Sequence, residues 1–312
     1  MTSQQKKNIL ILGGGGFIGS HFVERYCKKY NITVFDKKYF SRKNIQSYKN
    51  CINVVEGDFQ KSDDWLSSVQ AADYILHLVW STLPENADTV YDIESNVIPT
   101  LKLLEILKNS QDKKLVFVSS GGTVYGNSTR VPMGEQDPTA PICSYGLTKL
   151  TIEKYLYLYH YLYGLDYHIA RLSNPYGERQ ERIKSQGLIA WALACAVRSL
   201  PLTVWGDGSV KRDYIYIGDA VECIFELFKY SGPERVFNVS TGIGYTINEV
   251  IAMINEISGK KMRVDYVRER KFDIKENVLS NTLANEKLSW QPKTGLKEGI
   301  TLFYNYLLSK SA

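Results

Sequence analysis

The sequence predicts an α/β fold, in which a doubly wound parallel sheet is followed by a smaller α/β lobe. Three observations lead to this prediction. Short apolar runs alternate with helical stretches from Asn8 to Arg171. The runs lack the polar alternation of half-exposed strands, as expected when helices cover both faces of a sheet. A glycine-rich turn directly follows the first run and opens the first helix.

Six runs rich in Val, Ile, Leu, Phe and Tyr are the predicted strands of this sheet. In chain order they are Asn8–Leu12, Ile32–Phe35, Asn53–Glu56, Tyr74–Leu78, Lys114–Val118 and Tyr167–Arg171. Three helices are predicted between them, at Phe17–Lys29, Ile93–Lys108 and Tyr145–Tyr163. Each helix then serves as a right-handed crossover between parallel strands.

The second half is less regular, and two segments rich in Gly, Pro, Asn and Asp are predicted loops, Ser173–Gln180 and Val204–Tyr214. The helices predicted around them are Leu188–Arg198, Asp219–Tyr230, Ile247–Ser258 and Leu296–Leu308. We expect the sheet domain to comprise residues 1–175 with a return near 206–245. The second lobe then comprises residues 176–205 and 246–312.

Composition argues against several classes of protein. The net charge of +5 is mild and the basic residues are dispersed, whereas a nucleic-acid binder more often concentrates them. Five cysteines without a CxxC pair favour a reducing, cytoplasmic location, and four histidines without ligand spacing argue against a metal site. No apolar run approaches the roughly 18–20 residues that span a bilayer, so we expect no membrane partner.

Gly13, Gly16 and Gly19 form a GxxGxxG pattern between a strand and a helix, with Phe17 and Ile18 inside it. Unpaired backbone amides and the helix dipole favour an anion there, and glycine lets a pyrophosphate approach. This context favours a Rossmann-like dinucleotide-binding domain over a simple tight turn.

Asp36 ends the second predicted strand, where a carboxylate can accept both hydrogen bonds of an adenosine ribose diol. It therefore favours NAD over NADP, although Lys37 and Lys38 follow it directly and weaken that preference. The alternative is that Asp36 is an ordinary turn residue.

Tyr145 and Lys149 lie four residues apart and share one face of the predicted helix. A free tyrosine, with a pKa near 10, is protonated at neutral pH. A neighbouring ammonium and a positively charged nicotinamide ring both stabilise phenolate, which can then take a proton from a sugar hydroxyl. A surface Tyr–Lys pair is the alternative, and the glycine pattern argues against it.

The chain resembles an extended short-chain dehydrogenase/reductase, in the branch of nucleotide-sugar epimerases and dehydratases that includes UDP-glucose 4-epimerase. The motifs that carry the resemblance run nearly end to end. They are "GGGGFIGSH", "EGDF", "HLVWS", "SNVIPT", "SSGGTVYG", "SYGLTK", "RLSNPYGERQ", "WGDGSVKRDYIYIGDA", "RKFD" and "LSWQP…LKEGI".

The resemblance implies an NAD-dependent enzyme that acts on a nucleotide-diphosphate sugar. It places Asp58 and Phe59 at the adenine, and Leu78 and Val79 along the cofactor. Three further groups follow from it: Asn96 in the central helix, Asn174 at the nucleotide sugar, and Arg212 and Arg270 on the substrate diphosphate, for which guanidinium is suited.

One position departs from the pattern of the family. A Ser or Thr at the third position of "SSxxTVYG" shares the sugar-hydroxyl proton in most relatives, and here Gly121 stands there. Ser120 or Thr123 are the hydroxyls that can replace it, and Gly121 is expected to make room for the sugar. The dehydratases carry an Asp-Glu pair where Gly122 and Thr123 stand, and the decarboxylases carry Glu in place of Thr123, so both activities are disfavoured.

The tyrosine-dense stretch Glu153–Gly164 is typical of a helix-packing face. In the resembling family, the helices that correspond to Tyr145–Tyr163 and Ile93–Lys108 form a four-helix interface, so we expect a homodimer.

The expected function is NAD-dependent oxidation of a nucleotide-activated sugar at C4. Tyr145 acts as the base, Lys149 lowers its pKa and holds the cofactor ribose, and re-reduction from the opposite face gives 4-epimerisation of UDP-glucose or UDP-N-acetylglucosamine. The alternative is a net C4 dehydrogenase or ketoreductase on a GDP- or dTDP-linked hexose or heptose. A third hypothesis is a cofactor-binding protein without catalytic activity, but the intact Tyr–Lys pair argues against it.

Overall fold

The apolar runs of the first half pair side by side in one parallel sheet. A computed structural model describes residues 6–38, 44–61, 63–85, 88–180, 187–269 and 274–311. The strands in chain order are β1 Asn8–Leu12, β2 Asn31–Asp36, β3 Ile52–Glu56, β4 Tyr74–His77, β5 Lys114–Ser120, β6 Asp166–Leu172, β7 Asn174–Tyr176, β8 Leu202–Trp205, β9 Lys211–Tyr216, β10 Val236–Val239, β11 Gly244–Thr246, β12 Val264–Val267 and β13 Glu276–Asn277.

Helices connect most of these strands. They are α1 Phe17–Tyr26, α2 Leu66–Ala71, α3 Thr89–Asp92, α4 Ile98–Leu107, α5 Ser144–Tyr163, α6 Leu188–Arg198, α7 Ile217–Lys229, α8 Ile247–Ser258, α9 Thr282–Leu288 and α10 Leu296–Ser311. A 3₁₀ turn spans Gln46–Tyr48, and a π turn spans Ile93–Val97.

The main sheet has the strand order β10-β6-β5-β4-β1-β2-β3, and every pairing in it is parallel. The predicted α/β fold is therefore confirmed. Strand order reverses between β1 and β4, which is the switch point where doubly wound folds open a crevice at the carboxyl ends of their strands.

Both faces of the sheet are covered, which explains why its strands lack polar alternation. On one face, buried side chains of α1 and α7 such as Phe22 and Ile224 pack on the strands. On the other face, α4 and α5 contribute Leu104 and Ile152. Burial of this apolar surface is the main stabilising contribution to the first lobe.

The second lobe has a core of its own, built on α6, α8 and α10 with Leu193, Ile254 and Ile300 fully buried. Here β9 pairs with β7, β11 and β13, while β8 pairs with β12. The predicted loops Ser173–Gln180 and Val204–Tyr214 are therefore wrong in part, because β7, the end of β8 and the first residues of β9 lie within them. These strands are short, and their partners are distant in sequence, so the local pattern did not reveal them.

A π turn interrupts one of the predicted helices, which the sequence pattern did not predict. The helix expected at Ile93–Lys108 starts earlier, where the Asp88 side chain accepts a hydrogen bond from the Tyr91 amide at 2.9 Å. α3 then passes through the π turn into α4, and this wider turn turns Asn96 inward, where it is buried. Turns of this kind are frequent at functional sites.

None of the helices in the described ranges combines the length and apolar character that a bilayer crossing requires.

Candidate active site

A cavity of about 770 Å³ lies between the lobes, at the carboxyl ends of the sheet strands. Its first-lobe wall includes Phe17, Ile18, Leu78, Trp80, Tyr145 and Lys149. The rest of its wall includes Asn174, Gln180, Gly187, Arg212 and Ile274. The cavity therefore brings the glycine turn, the Tyr–Lys pair and the lobe boundary to one place.

The glycine turn after β1 is packed too closely for side chains. Gly13 has a φ of +86°, and a Cβ there would lie 3.0 Å from the Val79 amide nitrogen. A Cβ at Gly19 would lie 2.5 Å from the Gly14 Cα atom. The first glycine thus lets β4 approach the turn, and the second lets α1 pack against it.

The start of α1 has the properties of an anion site. Gly16 is the N-cap residue, and no side chain caps the helix there. A Cβ on Gly16 would contact only the Gly13 carbonyl, at 3.4 Å, so this side of the turn is open. The open backbone amides and the helix dipole suit a pyrophosphate, so the residues fit a dinucleotide.

Asp36 lies at the end of β2 beside this turn. Its Oδ2 accepts a hydrogen bond from the Gly15 amide at 2.9 Å, and its Oδ1 accepts one from the Lys37 amide at 2.8 Å. Burial raises the pKa of Asp36, and these two backbone hydrogen bonds act in the opposite direction. The Lys37 ammonium lies 3.4 Å from the Asp58 carboxylate, so this lysine has an acidic partner.

The residues expected at the adenine differ in exposure. Asp58 lies near the surface and pairs with Lys37, whereas Phe59 is buried with its ring 5.3 Å from Trp65 and 5.4 Å from His77. Any contact between Phe59 and a base must therefore come from its backbone. Leu78 lines the cavity, while the Val79 amide lies behind Gly13.

Tyr145 and Lys149 occupy the first two turns of α5 and both line the cavity. The Lys149 ammonium donates a hydrogen bond to the Val118 carbonyl at 2.8 Å. Burial lowers the pKa of Lys149 to about 7, and the Glu153 carboxylate acts in the opposite direction. Burial raises the pKa of Tyr145, and a side-chain hydrogen bond with Ser120 opposes that rise.

The two candidate hydroxyls of the "SSGGTVYG" segment point in different directions. Ser120, at the end of β5, forms its side-chain hydrogen bond with Tyr145. The Thr123 hydroxyl donates back to the Ser120 carbonyl at 3.4 Å, although Thr123 also lines the cavity. The geometry therefore brings Ser120, rather than Thr123, to the phenol.

Gly121 is not among the residues that line the cavity, and the expectation that it makes room for a sugar stays a prediction. Gly121 is buried, and a Cβ there would lie 2.2 Å from the Leu279 Cδ1 atom. The Asn277 side chain also donates to the Gly121 carbonyl at 3.2 Å. Leu279, which follows β13, and Asn277 of β13 therefore occupy the space beside Gly121.

A buried polar network behind the Tyr–Lys pair was missed by sequence reasoning. Glu153 accepts hydrogen bonds from Ser119 and from Arg171, whose Nη2 lies 2.7 Å from its Oε2. Arg171 also donates to the Tyr125 hydroxyl at 2.9 Å. The one available signal was the spacing, because Glu153 follows Lys149 by four residues and so shares its helix face.

At the lobe boundary, Asn174 donates from its side chain to the Asp213 carbonyl at 2.9 Å. Arg212 Nη1 donates to the carbonyls of Lys211 and Ile274, at 2.8 and 2.6 Å, and Arg212 lines the cavity. Arg270, the second expected diphosphate ligand, lies outside the described residues.

The sequence and the structure resemble known proteins along almost their entire length. The profile of the NAD dependent epimerase/dehydratase family matches residues 9–240. A UDP-glucose 4-epimerase of Mycolicibacterium smegmatis is 30% identical over 309 residues, covering 97% of this chain and 99% of that protein. A dTDP-4-dehydro-6-deoxyglucose reductase of Escherichia coli is 30% identical over 306 residues, covering 95% and 96%. The crystal structure of a Thermotoga maritima UDP-glucose 4-epimerase with UDP-glucose has a TM-score of 0.91 at 32% identity, covering 98% of this chain and 100% of that one.

Proposed function

The chain belongs to the NAD dependent epimerase/dehydratase family, and from this premise we propose that it is a nucleotide-sugar 4-epimerase acting on UDP-glucose or UDP-N-acetylglucosamine. The observation that carries the proposal is the convergence of Tyr145, Lys149 and Ser120 on a cavity that also contains the open start of α1. The similarity to 4-epimerases over nearly the whole chain supports the choice of reaction.

In this proposal, Tyr145 removes the proton from the C4 hydroxyl of the sugar. Because burial raises the pKa of this phenol, proton removal requires positive charge nearby. The Lys149 ammonium supplies part of that charge, and Ser120 contributes a hydroxyl that hydrogen-bonds both the phenol and the sugar oxygen. The same three residues return the proton when the keto group is reduced again.

The enzyme is NAD-dependent, and NAD would supply a hydride acceptor and a positive charge when bound. Gly13, Gly16 and the first turn of α1 would hold its pyrophosphate, and Asp36 would accept hydrogen bonds from its adenosine ribose. Leu78 and the Lys149 ammonium would contact its nicotinamide half.

The nucleotide diphosphate of the substrate would bind at the lobe boundary. We assign Asn174 and Arg212 to this role, since both line the cavity that Tyr145 also lines. Arg270 is assigned with them from the sequence alone. Gly122 and Thr123 provide no carboxylic acid beside Tyr145, which disfavours loss of water from the sugar.

A second candidate function is net reduction or oxidation at C4 of a dTDP- or GDP-linked sugar. It is favoured by the similarity to a dTDP-4-dehydro-6-deoxyglucose reductase, whose identity to this chain equals that of the M. smegmatis epimerase.

One experiment separates the two functions. The purified protein is incubated with UDP-, GDP- and dTDP-sugars, while reduced nicotinamide absorbance and the proton spectrum of the sugar are followed. A C4 epimer without net reduced cofactor supports the first function. Stoichiometric reduced cofactor with a 4-keto sugar contradicts it and supports the second.

The role of Tyr145 is tested by Tyr145→Phe. Removing the base is expected to lower kcat by about 10²–10⁴-fold, while NAD binding, measured by calorimetry, is retained. Tyr266→Phe, which removes a hydroxyl at a 53% exposed position on β12, is the matched control and should leave kcat unchanged. Full turnover by the Tyr145→Phe variant would rule out the proposed base.

We also propose a homodimer in which α3, α4 and α5 pair with their copies. α5 exposes Leu147, Leu158 and Tyr161, and their spacing places them on one side of the helix. On the neighbouring helices, Val90 of α3 is 63% exposed and Ile98 of α4 is 44% exposed. An exposed apolar surface of this kind is typical of protein contacts. A cytoplasmic location is proposed with it, supported by five free cysteines.

A further inference from the structure

Trp80 lies on the loop after β4, next to a residue that is held by two hydrogen bonds. The amide of the next residue, Ser81, donates to the Asn96 side chain at 2.8 Å, and the Ser81 hydroxyl accepts from Gln60 at 2.7 Å. Asn96 reaches this loop because the π turn directs it inward. The π turn therefore fixes the position of the residues beside Trp80.

The indole of Trp80 covers the ammonium of Lys149. The Lys149 Nζ atom lies 3.7 Å from the centre of the Trp80 ring and 4.8 Å from that of Phe117. The Trp80 ring also meets Tyr145 edge to face, with centroids 5.5 Å apart and planes at 69°. Tryptophan therefore contacts both members of the Tyr–Lys pair at once.

Three titratable groups face Lys149 from the elements packed around it. Tyr145 and Glu153 lie on the same helix, and Glu153 is paired with Arg171 of β6. His77 on β4 is neutral, because burial lowers its pKa to about 3. Glu153 is thus the one anion among these groups, and much of its charge is compensated by Arg171.

We propose that Trp80 is a positioning residue of the active site, whose ring face keeps the Lys149 ammonium protonated and directed at Tyr145. An indole face attracts a cation, and the attraction grows where water is excluded. It therefore opposes the burial that favours the neutral amine. The indole also forms the cavity wall beside the phenol, so substitution alters the shape of the site together with its charge.

The inference rests on the proposed function only for the catalytic role of Lys149, and its test does not require turnover. The protein is labelled with ¹³C at lysine Cε, and the Lys149 resonance is identified by its absence from Lys149→Arg. Its pKa is read from the pH dependence of the shift in the wild type, Trp80→Phe and Trp80→Leu. Trp80→Leu keeps an apolar side chain but removes the ring face. In this variant the Lys149 pKa is expected to fall by about 1, which is about a tenfold higher ratio of neutral amine to ammonium at any given pH. Phenylalanine, a weaker cation acceptor, should give an intermediate value.

Trp205→Leu removes an indole from the second lobe and is the matched control, for which the Lys149 pKa should not change. An unchanged or raised Lys149 pKa in Trp80→Leu, with a native circular dichroism spectrum, overturns the inference. If Trp80→Leu does not fold, the same measurement is made on Trp80→Phe, and an unchanged or raised Lys149 pKa in that variant overturns the inference. If the Lys149 pKa falls from wild type to Trp80→Phe to Trp80→Leu as expected, but the protein turns over none of the sugars, the inference stands. That result would contradict only the proposed function.

Discussion

Ser120 and Thr123 are the two candidate hydroxyls beside Tyr145, and the geometry gives them different roles. The Ser120 side chain hydrogen-bonds Tyr145, while the Thr123 hydroxyl donates to a backbone carbonyl. We therefore expect Ser120→Ala to lower kcat by about 10- to 100-fold with little change in KM, since a hydrogen bond at the reacting oxygen is lost. Thr123→Val should retain most of the activity. A larger kcat loss in Thr123→Val than in Ser120→Ala would reverse the assignment.

His77 makes stability depend on pH. Burial lowers its pKa to about 3, and burial likewise lowers the pKa of His168 to about 3. The unfolded chain takes up a proton at each of these histidines below pH 6.5, whereas the folded chain does not until about pH 3. Unfolded molecules then bind more protons, so the free energy of unfolding falls as the pH is lowered from 6.5 towards 3.

The slope is at most about 1.4 kcal/mol per pH unit for each histidine. Urea unfolding between pH 4 and 8 measures it, and His77→Gln should flatten the slope relative to the wild type. Equal slopes for the two proteins would mean that His77 takes up its proton over the same pH range in the folded and unfolded states.

At the residue scale, Tyr145 and Lys149 could be predicted from sequence because their separation places them on one helix face whatever surrounds the helix. The choice between Ser120 and Thr123 could not be predicted, since the direction of each hydroxyl depends on the turn that follows β5. The packing of Leu279 beside Gly121 could not be predicted either, because the two residues are distant in sequence.

At the scale of elements, the Arg171–Glu153 pair joins α5 to β6 through a buried ion pair. Arg171→Met leaves the Glu153 carboxylate buried without its partner, which should lower the free energy of unfolding by about 3–5 kcal/mol. Arg130→Met, at an exposed ion pair with Asp137, is the matched control and should cost less than about 1 kcal/mol.

Urea unfolding measures both variants. Adding Glu153→Gln to Arg171→Met should restore part of the loss, because the uncompensated charge is then removed. A loss for Arg171→Met no larger than that of the surface control would show that Glu153 is not charged when buried.

Long elements could be predicted from sequence because their patterns are local. The helix expected at Tyr145–Tyr163 begins one residue earlier, at Ser144, and the six predicted strands all lie in the main sheet. The π turn and the short strands could not be predicted in this way. The π turn lies within a sequence whose pattern predicts one continuous helix. The short strands depend on partners that are distant in the chain.

At the scale of the whole molecule, the exposed side of α5 determines the expected assembly. Replacing Leu158 by Glu places a charge in the proposed interface, so we expect the dimer to dissociate. Tyr266→Glu, at a position 53% exposed on β12, is the matched control and should leave the dimer intact.

Sedimentation velocity at micromolar concentration gives the mass of each protein. A monomeric wild type, or a dimer that survives Leu158→Glu, would contradict the proposed interface. The division into residues 1–175 with a return near 206–245, and 176–205 with 246–312, stays a prediction at this scale.

Leu279 has a consequence for anyone who recombines members of this family. The side chain of Leu279 and the amide of Asn277 reach from the C-terminal part of the chain to the turn that carries Ser120. A chimera that exchanged the second half alone would place a foreign residue against Gly121. A serine grafted at position 121 would meet the native leucine. The residues at positions 121 and 279 therefore depend on each other, and an active chimera has to take both from the same parent protein.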